Sequence, residues 1–180
     1  GLGVINNKST SKLTAKEEES LELVPYTQVE NRFFFIAEEY LKRFGSEKDA
    51  GDVLYEQAYL RYSHHDLQEA YRGFWTLIQK YPAHVTSISS AYLILDILNR
   101  KKEYAKLVAA CQKFLETKEF SGASKFKVEV SDILRKAELK RIALLEEKGD
   151  FKEAAENYVE YTKAYGPQDE VLFEKALYNA

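Results

Sequence analysis

One apolar pattern recurs along this chain, and it restricts the fold to helices packed on helices. It is clearest in Asp66–Pro82, DLQEAYRGFWTLIQKYP. There Leu67, Ala70, Tyr71, Phe74, Leu77, Ile78 and Tyr81 fall at offsets 0, 3, 4, 7, 10, 11 and 14. At 3.6 residues per turn, all of these return to one side of an α-helix. Counted from Tyr104, the same offsets give Leu107, Val108, Cys111, Phe114, Leu115 and Lys118. From Phe151 they give Ala154, Ala155, Tyr158, Tyr161, Thr162 and Tyr165, and from Phe33 they give Ile36, Ala37, Tyr40, Arg43, Phe44 and Glu47. The starting points 33, 67, 104 and 151 lie 34, 37 and 47 residues apart. Periods of that size belong to stacked supersecondary units.

The units are helix pairs. Leu54, Tyr55, Ala58, Tyr59 and Tyr62 form a second amphipathic helix over Asp52–Ser63, and His64-His65 leaves only a short turn before the next. A turn that short makes the two helices antiparallel neighbours. Asp66 with Glu69, and Asp150 with Glu153, have the spacing of a capping box. Pro82 has no N–H and stops the helix before it. Further helices are expected over Tyr26–Phe44, Thr86–Arg100, Lys102–Thr117 and Ser124–Lys148, the last ended by Gly149. Gly45 is expected to end the first with a positive φ. Residues 1–24 read as a polar tail or linker. Residues 25–180 divide into units at about 25–49, 50–83, 84–121 and 122–166. In 167–180, Leu172-Phe173-Glu174-Lys175-Ala176-Leu177 repeats the order of Leu54-Tyr55-Glu56-Gln57-Ala58-Tyr59. That order suggests either a cap or the first helix of a further repeat, and its apolar content favours a chain that continues. The absence of methionine, even at position 1, suggests a processed or excised form.

These residues resemble the tetratricopeptide-repeat (TPR) family over roughly residues 33 to 180. Ala70-x-x-x-Phe74 followed by Pro82 matches its second-helix pattern, Leu54 and Ala58 match first-helix positions, and Gly149-Asp150-Phe151-Lys152-Glu153-Ala154 resembles its turn into a second helix. The chain departs from the pattern at Gln57 and Arg61, at Leu107 and Cys111, and at Glu138 and Arg141. The resemblance implies an all-α solenoid of antiparallel pairs wound into a right-handed superhelix. It also implies a non-catalytic scaffold that binds a protein or peptide. An accessory or regulatory domain of a larger assembly or multidomain enzyme is the alternative. The Tyr81-Pro82 ending and irregular repeat lengths are similar to those of bacterial envelope members, which implies an envelope or periplasmic setting.

Composition removes other classes. With 26 basic and 29 acidic residues the net charge is −3, whereas nucleic-acid binding rests on concentrated Lys and Arg. No apolar run reaches the 18 or so residues of a membrane span. The single cysteine, Cys111, excludes an internal disulfide, and on an apolar stripe it reads as a small buried hydrophobe. His64-His65-Asp66 offers metal-ligand types. Adjacent histidines on one turn do not easily face a single ion, so a polar turn is the expected reading. No phosphate loop or nucleophile elbow occurs. No enzyme activity, metal or cofactor is expected.

The 13 tyrosines point instead to binding. In the family resembled, first helices line a concave groove. Aligned on Ala70 and Leu107, the groove positions are Tyr55, Tyr59 and Tyr62, then Tyr92, Asp96, Asn99 and Arg100. An aromatic floor with a few polar groups suits an extended peptide or a partner helix. The alternative is that these tyrosines are buried by the Phe33 helix or the next repeat. The expected core contains Leu67, Ala70, Phe74, Leu77, Leu107, Cys111, Phe114, Leu145, Ala154 and Tyr158, with Ala70 and Ala154 at close helix approaches. Ala70→Leu should therefore overpack its site and cost about 1–3 kcal/mol, read as a lowered denaturation midpoint.

Overall fold

The computed structural model describes residues 22–166. Seven α-helices carry most of them: α1 (Gln28–Phe44), α2 (Ala50–Ser63), α3 (Leu67–Lys80), α4 (Ser87–Arg100), α5 (Tyr104–Glu116), α6 (Ser124–Lys148) and α7 (Phe151–Tyr165). A 3-10 turn at Lys118–Phe120 joins α5 to α6. No strand occurs among the described residues. The expected tail, apart from residues 22–24, and the expected further helix at 167–180 lie outside them. Among the described residues every extensive helix–helix contact is between neighbours in sequence.

The pairing of α2 with α3 rests on a close approach. A Cβ added at Gly73 would lie 2.7 Å from the Cβ of Ala58, nearer than two carbons can come. The two small residues bring the backbones together, and Phe74, next to Gly73, is fully buried beside Ala70 and Leu77. Tyr55 and Tyr62 of α2 lean on the Phe74 ring.

Most of the expected core is in place. Leu67, Ala70, Phe74, Leu77, Leu107, Cys111, Phe114, Ala154 and Tyr158 are buried. Leu145 is only half-buried; it packs on a smaller cluster whose buried members are Ile142, Ala154, Tyr158 and Tyr161. α4 is covered on several sides, with Ser87, Ser90, Ala91, Ile94, Leu95, Ile97 and Leu98 all buried, as suits a helix with neighbours on more than one face. The break at Phe120-Ser121-Gly122 also feeds the core. Phe120 is 1% exposed, with ring centroids 6.1 Å from Phe114 and 5.3 Å from Phe126. Trp75 stacks on Phe114 at 5.1 Å, and Tyr92 meets Phe126 edge-on at 5.1 Å. Aromatic contact thus runs from α3 through α5 and α6 to α4.

α1 departs from the recurring pattern. Ala37 is its one buried residue, flanked by half-buried Phe34 and Leu41, while Ile36 and Phe44 of the pattern are 64% and 47% exposed. The reason lies in α2. Gln57, 3% exposed, donates from Nε2 to the Phe34 carbonyl at 3.4 Å. The Arg61 guanidinium sits 4.9 Å from the Phe34 ring centroid and 3.8 Å from Glu38. The two residues that break the family pattern in α2 are those that hold α1, and they grip its Phe34 side.

The His64-His65-Asp66 turn also has a structural task. It holds the extended segment before α1. Val24 N–H donates to the His64 carbonyl at 2.8 Å. His64 Nδ1 lies 3.1 Å from the Val24 carbonyl, and its Nε2 lies 3.0 Å from Glu30. His65 Nδ1 lies 3.1 Å from the Glu22 carbonyl. The Tyr26 hydroxyl donates to Asp66 at 2.9 Å, and its ring lies on His64 at 4.7 Å. Because Asp66 is occupied by Tyr26, it makes no capping hydrogen bond, and Glu69 pairs with Arg72 at 2.6 Å instead. Asp150 makes no side-chain cap either. The capping box occurs at Thr27 and Glu30 of α1.

Gly149 ends α6 at φ +84, as expected of a left-handed terminus. Gly45 does not: its φ is −64. Its constraint is crowding, since a Cβ there would lie 2.5 Å from the Leu41 carbonyl oxygen, while its own carbonyl accepts from the Tyr81 hydroxyl.

The contrast between two glycines is testable. Alanine favours a helix interior over glycine by about 1 kcal/mol, but at position 73 the clash with Ala58 outweighs that gain. Gly73→Ala is expected to lower stability to urea by about 1–3 kcal/mol. Gly122 has open space around the added Cβ and no positive φ, so Gly122→Ala should be neutral or stabilise by up to about 1 kcal/mol.

Candidate binding face

α2, α4 and α6 share side-chain contacts although they are not consecutive. The Tyr62 hydroxyl of α2 donates to Asp96 Oδ2 of α4 at 2.6 Å. Arg100 Nε donates to the same oxygen at 2.7 Å, and its guanidinium carbon lies 5.5 Å from the Tyr62 ring centroid. From α4 to α6, the Tyr92 hydroxyl donates to Glu129. Lys140 Nζ donates to Asn99 Oδ1 at 3.0 Å and lies 5.3 Å from the Tyr104 ring centroid. Each link ties polar tips together above apolar rings, which fixes the spacing of the three helices at this face.

Between α4 and α6 the face opens into a cleft of about 680 Å³. Leu95, Leu107, Ile133, Ala137 and Leu139 supply apolar surface; Tyr92, Asp96 and Asn99 stand on the α4 wall, and Lys136 and Lys140 on the α6 wall. Lys136 pairs with Asp132 at 2.6 Å. Hydrogen bonds from Lys136 and Arg135 hold the Asp132 carboxyl below its ordinary range. The cleft therefore offers an apolar floor, one carboxylate edge and one cationic edge. That combination suits a side chain or short segment with both apolar and polar groups.

The residues singled out in the sequence divide into three groups here. Tyr92, Asp96 and Asn99 line the cleft. Tyr62 and Arg100 join Asp96 just beside it. Tyr55 and Tyr59 lie farther along α2, in a stack with ring centroids 5.9 Å apart that continues to Tyr62 at 6.2 Å. Tyr55, Tyr62 and Tyr92 are half-buried against the core, whereas Tyr59 is 45% exposed. Tyr55, Tyr62 and Tyr92 thus serve packing, and Tyr59 stands open. The α6 wall was not anticipated. Its signal is present in the sequence, where Ile133, Lys136 and Lys140 fall in helical register on α6.

Other candidate chemistry is structurally absorbed. Burial, and then the charge of Glu138, push the Cys111 thiol up to about 12, which disfavours the thiolate. His84 packs against Gly51, with Nδ1 2.8 Å from Thr86 Oγ1 and Nε2 3.5 Å from Asp52. No cluster of three or more His, Cys, Asp or Glu side chains suited to a metal ion occurs among the described residues. None of the described helices is long and apolar enough to cross a membrane. No family model matches the chain, and no curated protein or solved structure shows significant similarity to it.

The Tyr92–Glu129 link has a pH signature. Burial, reinforced by the hydrogen bond to Glu129, pushes the Tyr92 phenol up to about 12. An unfolded tyrosine ionises near about pH 10. Since the folded value is the higher, the contribution to stability is complete below about pH 10 and is lost as the pH rises through about 12. Tyr92→Phe should remove one late-ionising phenol from the ultraviolet titration of the folded protein. It should also make the fall in urea stability over that window shallower than in the parent chain.

Proposed function

We propose that this chain is a non-catalytic, TPR-like interaction scaffold that binds a peptide or a partner helix on the face formed by α2, α4 and α6. The observation that carries the reading is the cleft between α4 and α6. Its apolar floor lies between Asp96 on one wall and Lys136 and Lys140 on the other. Three further features support it. The recurring apolar pattern makes α2, α4 and α6 equivalent first helices of successive units, in a right-handed superhelix whose concave side they would line. The side-chain links Tyr62–Asp96 and Asn99–Lys140 pre-set the wall, so a ligand meets a rigid surface and less conformational freedom is lost on binding. Tyrosine gives a large contact area with only two torsions to freeze, and Tyr59 and the rim of Tyr92 offer it at the open side.

On this reading a ligand inserts an apolar side chain between Leu95 and Ile133, and its polar groups are oriented by Asp96 and the two lysines. Selection from a random peptide-display library on the immobilised chain tests it and requires no identified partner. Enriched peptides should share an apolar anchor flanked by polar residues. Tyr92→Ala and Ile133→Ala should each weaken them by on the order of 1–3 kcal/mol, as interface anchors do, with helicity by circular dichroism retained. Peptides that bind both variants as well as the parent would place the binding surface elsewhere and defeat the proposal.

A further inference from the structure

We infer that two copies of this chain associate through α1, antiparallel about a two-fold axis at Ile36. Val29, Phe33, Ile36, Tyr40 and Phe44 are spaced by four, three, four and four residues, which places them along one side of the helix. Four of them are positions of the recurring apolar pattern, and the equivalent positions of α3 (Leu67, Ala70, Phe74 and Ile78) are buried against neighbouring helices. In α1 this side is largely open: Val29 is 75% exposed, Ile36 64% and Phe44 47%, while Phe33 and Tyr40 are half-buried and the Tyr40 hydroxyl donates to Asp49 at 2.7 Å. Among the described residues α2 is the only extensive helix partner of α1, and through Gln57 and Arg61 it holds the Phe34 side. The sequence thus supplies an apolar face on α1 that the described residues of one copy leave largely uncovered.

The stripe is complementary to itself. Laid antiparallel, Val29 meets the partner's Phe44, Phe33 meets the partner's Tyr40, and Ile36 meets its own symmetry mate. The charges agree with that direction. Arg32 is exposed, and no ion pair holds it among the described residues. Glu39 lies seven residues on, along the same edge of the stripe, where it pairs with Lys42 at 2.8 Å. A two-fold axis across the helix keeps each edge on its own side, so Arg32 faces the partner's Glu39 twice in the dimer. A second copy is therefore favoured over an unrelated partner, because reversing the charge order of this edge sets opposite charges against each other. α1 has 17 residues and is about 25 Å long at 1.5 Å per residue. One helix pair of that length buries less than the roughly 1,600 Å² of a standard interface, so the dimer forms and dissociates with concentration.

Sedimentation velocity on the full 180-residue chain, across about three decades of concentration upward from the micromolar range, tests this. The expected mass rises from the 20.8 kDa of one chain toward twice that value. Ile36→Glu should abolish the rise. Phe35→Ser should leave it unchanged, because Phe35 is equally exposed, at 69%, but lies on another side of the helix. Arg32→Glu should raise the dissociation constant several-fold, and adding Glu39→Arg in the same chain should restore it. Should Ile36→Glu disturb folding by circular dichroism, the charge reversal and Ile36→Cys still decide. The latter should give a disulfide-linked dimer on mild oxidation, since Cys111 is fully buried and does not compete. A monomer mass throughout would overturn the inference. So would equal loss from Phe35→Ser, a dimer that survives Ile36→Glu, or an Ile36→Cys chain that stays monomeric on oxidation.

Discussion

The contact on which this structure depends is the approach of Ala58 to Gly73. With no side chain at one position and a single methyl at the other, α2 and α3 come close enough for Phe74 to be wholly enclosed. A larger residue at either position would separate the helices by about the width of a carbon, and close packing does not absorb a shift of that size without strain. The enclosed Phe74 ring in turn orients Tyr55 and Tyr62. Tyr62 then reaches Asp96 on α4. A backbone contact in the first helix pair is thereby transmitted to the polar edge of the candidate binding face.

Beyond that pair, aromatic rings bridge units that differ in length. The Phe114, Phe120 and Phe126 cluster fills the junction where α5 gives way to the longer α6, and Trp75 and Tyr92 extend it to α3 and α4. Edge-to-face and stacked rings contribute directional contacts beyond area burial. They explain how spacings of 34, 37 and 47 residues still yield continuous packing. α7 stands somewhat apart, on the smaller cluster around Ile142, Tyr158 and Tyr161. There Arg141, one of the departures from the repeat pattern, donates to Asn157 at 2.6 Å, so a polar contact occupies a position where the pattern would set an apolar one.

The two open surfaces differ in chemistry. The cleft between α4 and α6 combines an apolar floor with fixed polar edges, as a site with orientational preference requires. The stripe on α1 is apolar along its length with charges only at its border, as an isologous helix contact requires. They lie on different helices, and occupancy of one does not presuppose occupancy of the other.

The sequence by itself determined the helices and most of their buried faces, because a 3.6-residue period of apolar residues has one helical solution and short polar turns force neighbours to pair. Leu67, Phe74, Leu107, Phe114 and Tyr158 were legible for that reason, as was Gly149, whose left-handed φ follows from its place after the last periodic residue. Of the candidate face, Tyr92, Asp96 and Asn99 were legible through the equivalence of first helices. What only the tertiary structure decided concerns competition between partners distant in sequence. Asp66 is spaced to cap α3 but is taken by Tyr26, forty residues away. The pattern in α1 runs from Phe33 to Phe44 with Arg43 in it, yet Gln57 and Arg61 turn its Phe34 side inward. Leu145 lies on the apolar run of α6 but at a register that α7 only half covers. Ile133, Lys136 and Lys140 become a wall only because α6 lies beside α4. Periodicity states which side of a helix is apolar; which neighbour covers that side is settled by contacts between segments far apart in the chain, which no local pattern encodes.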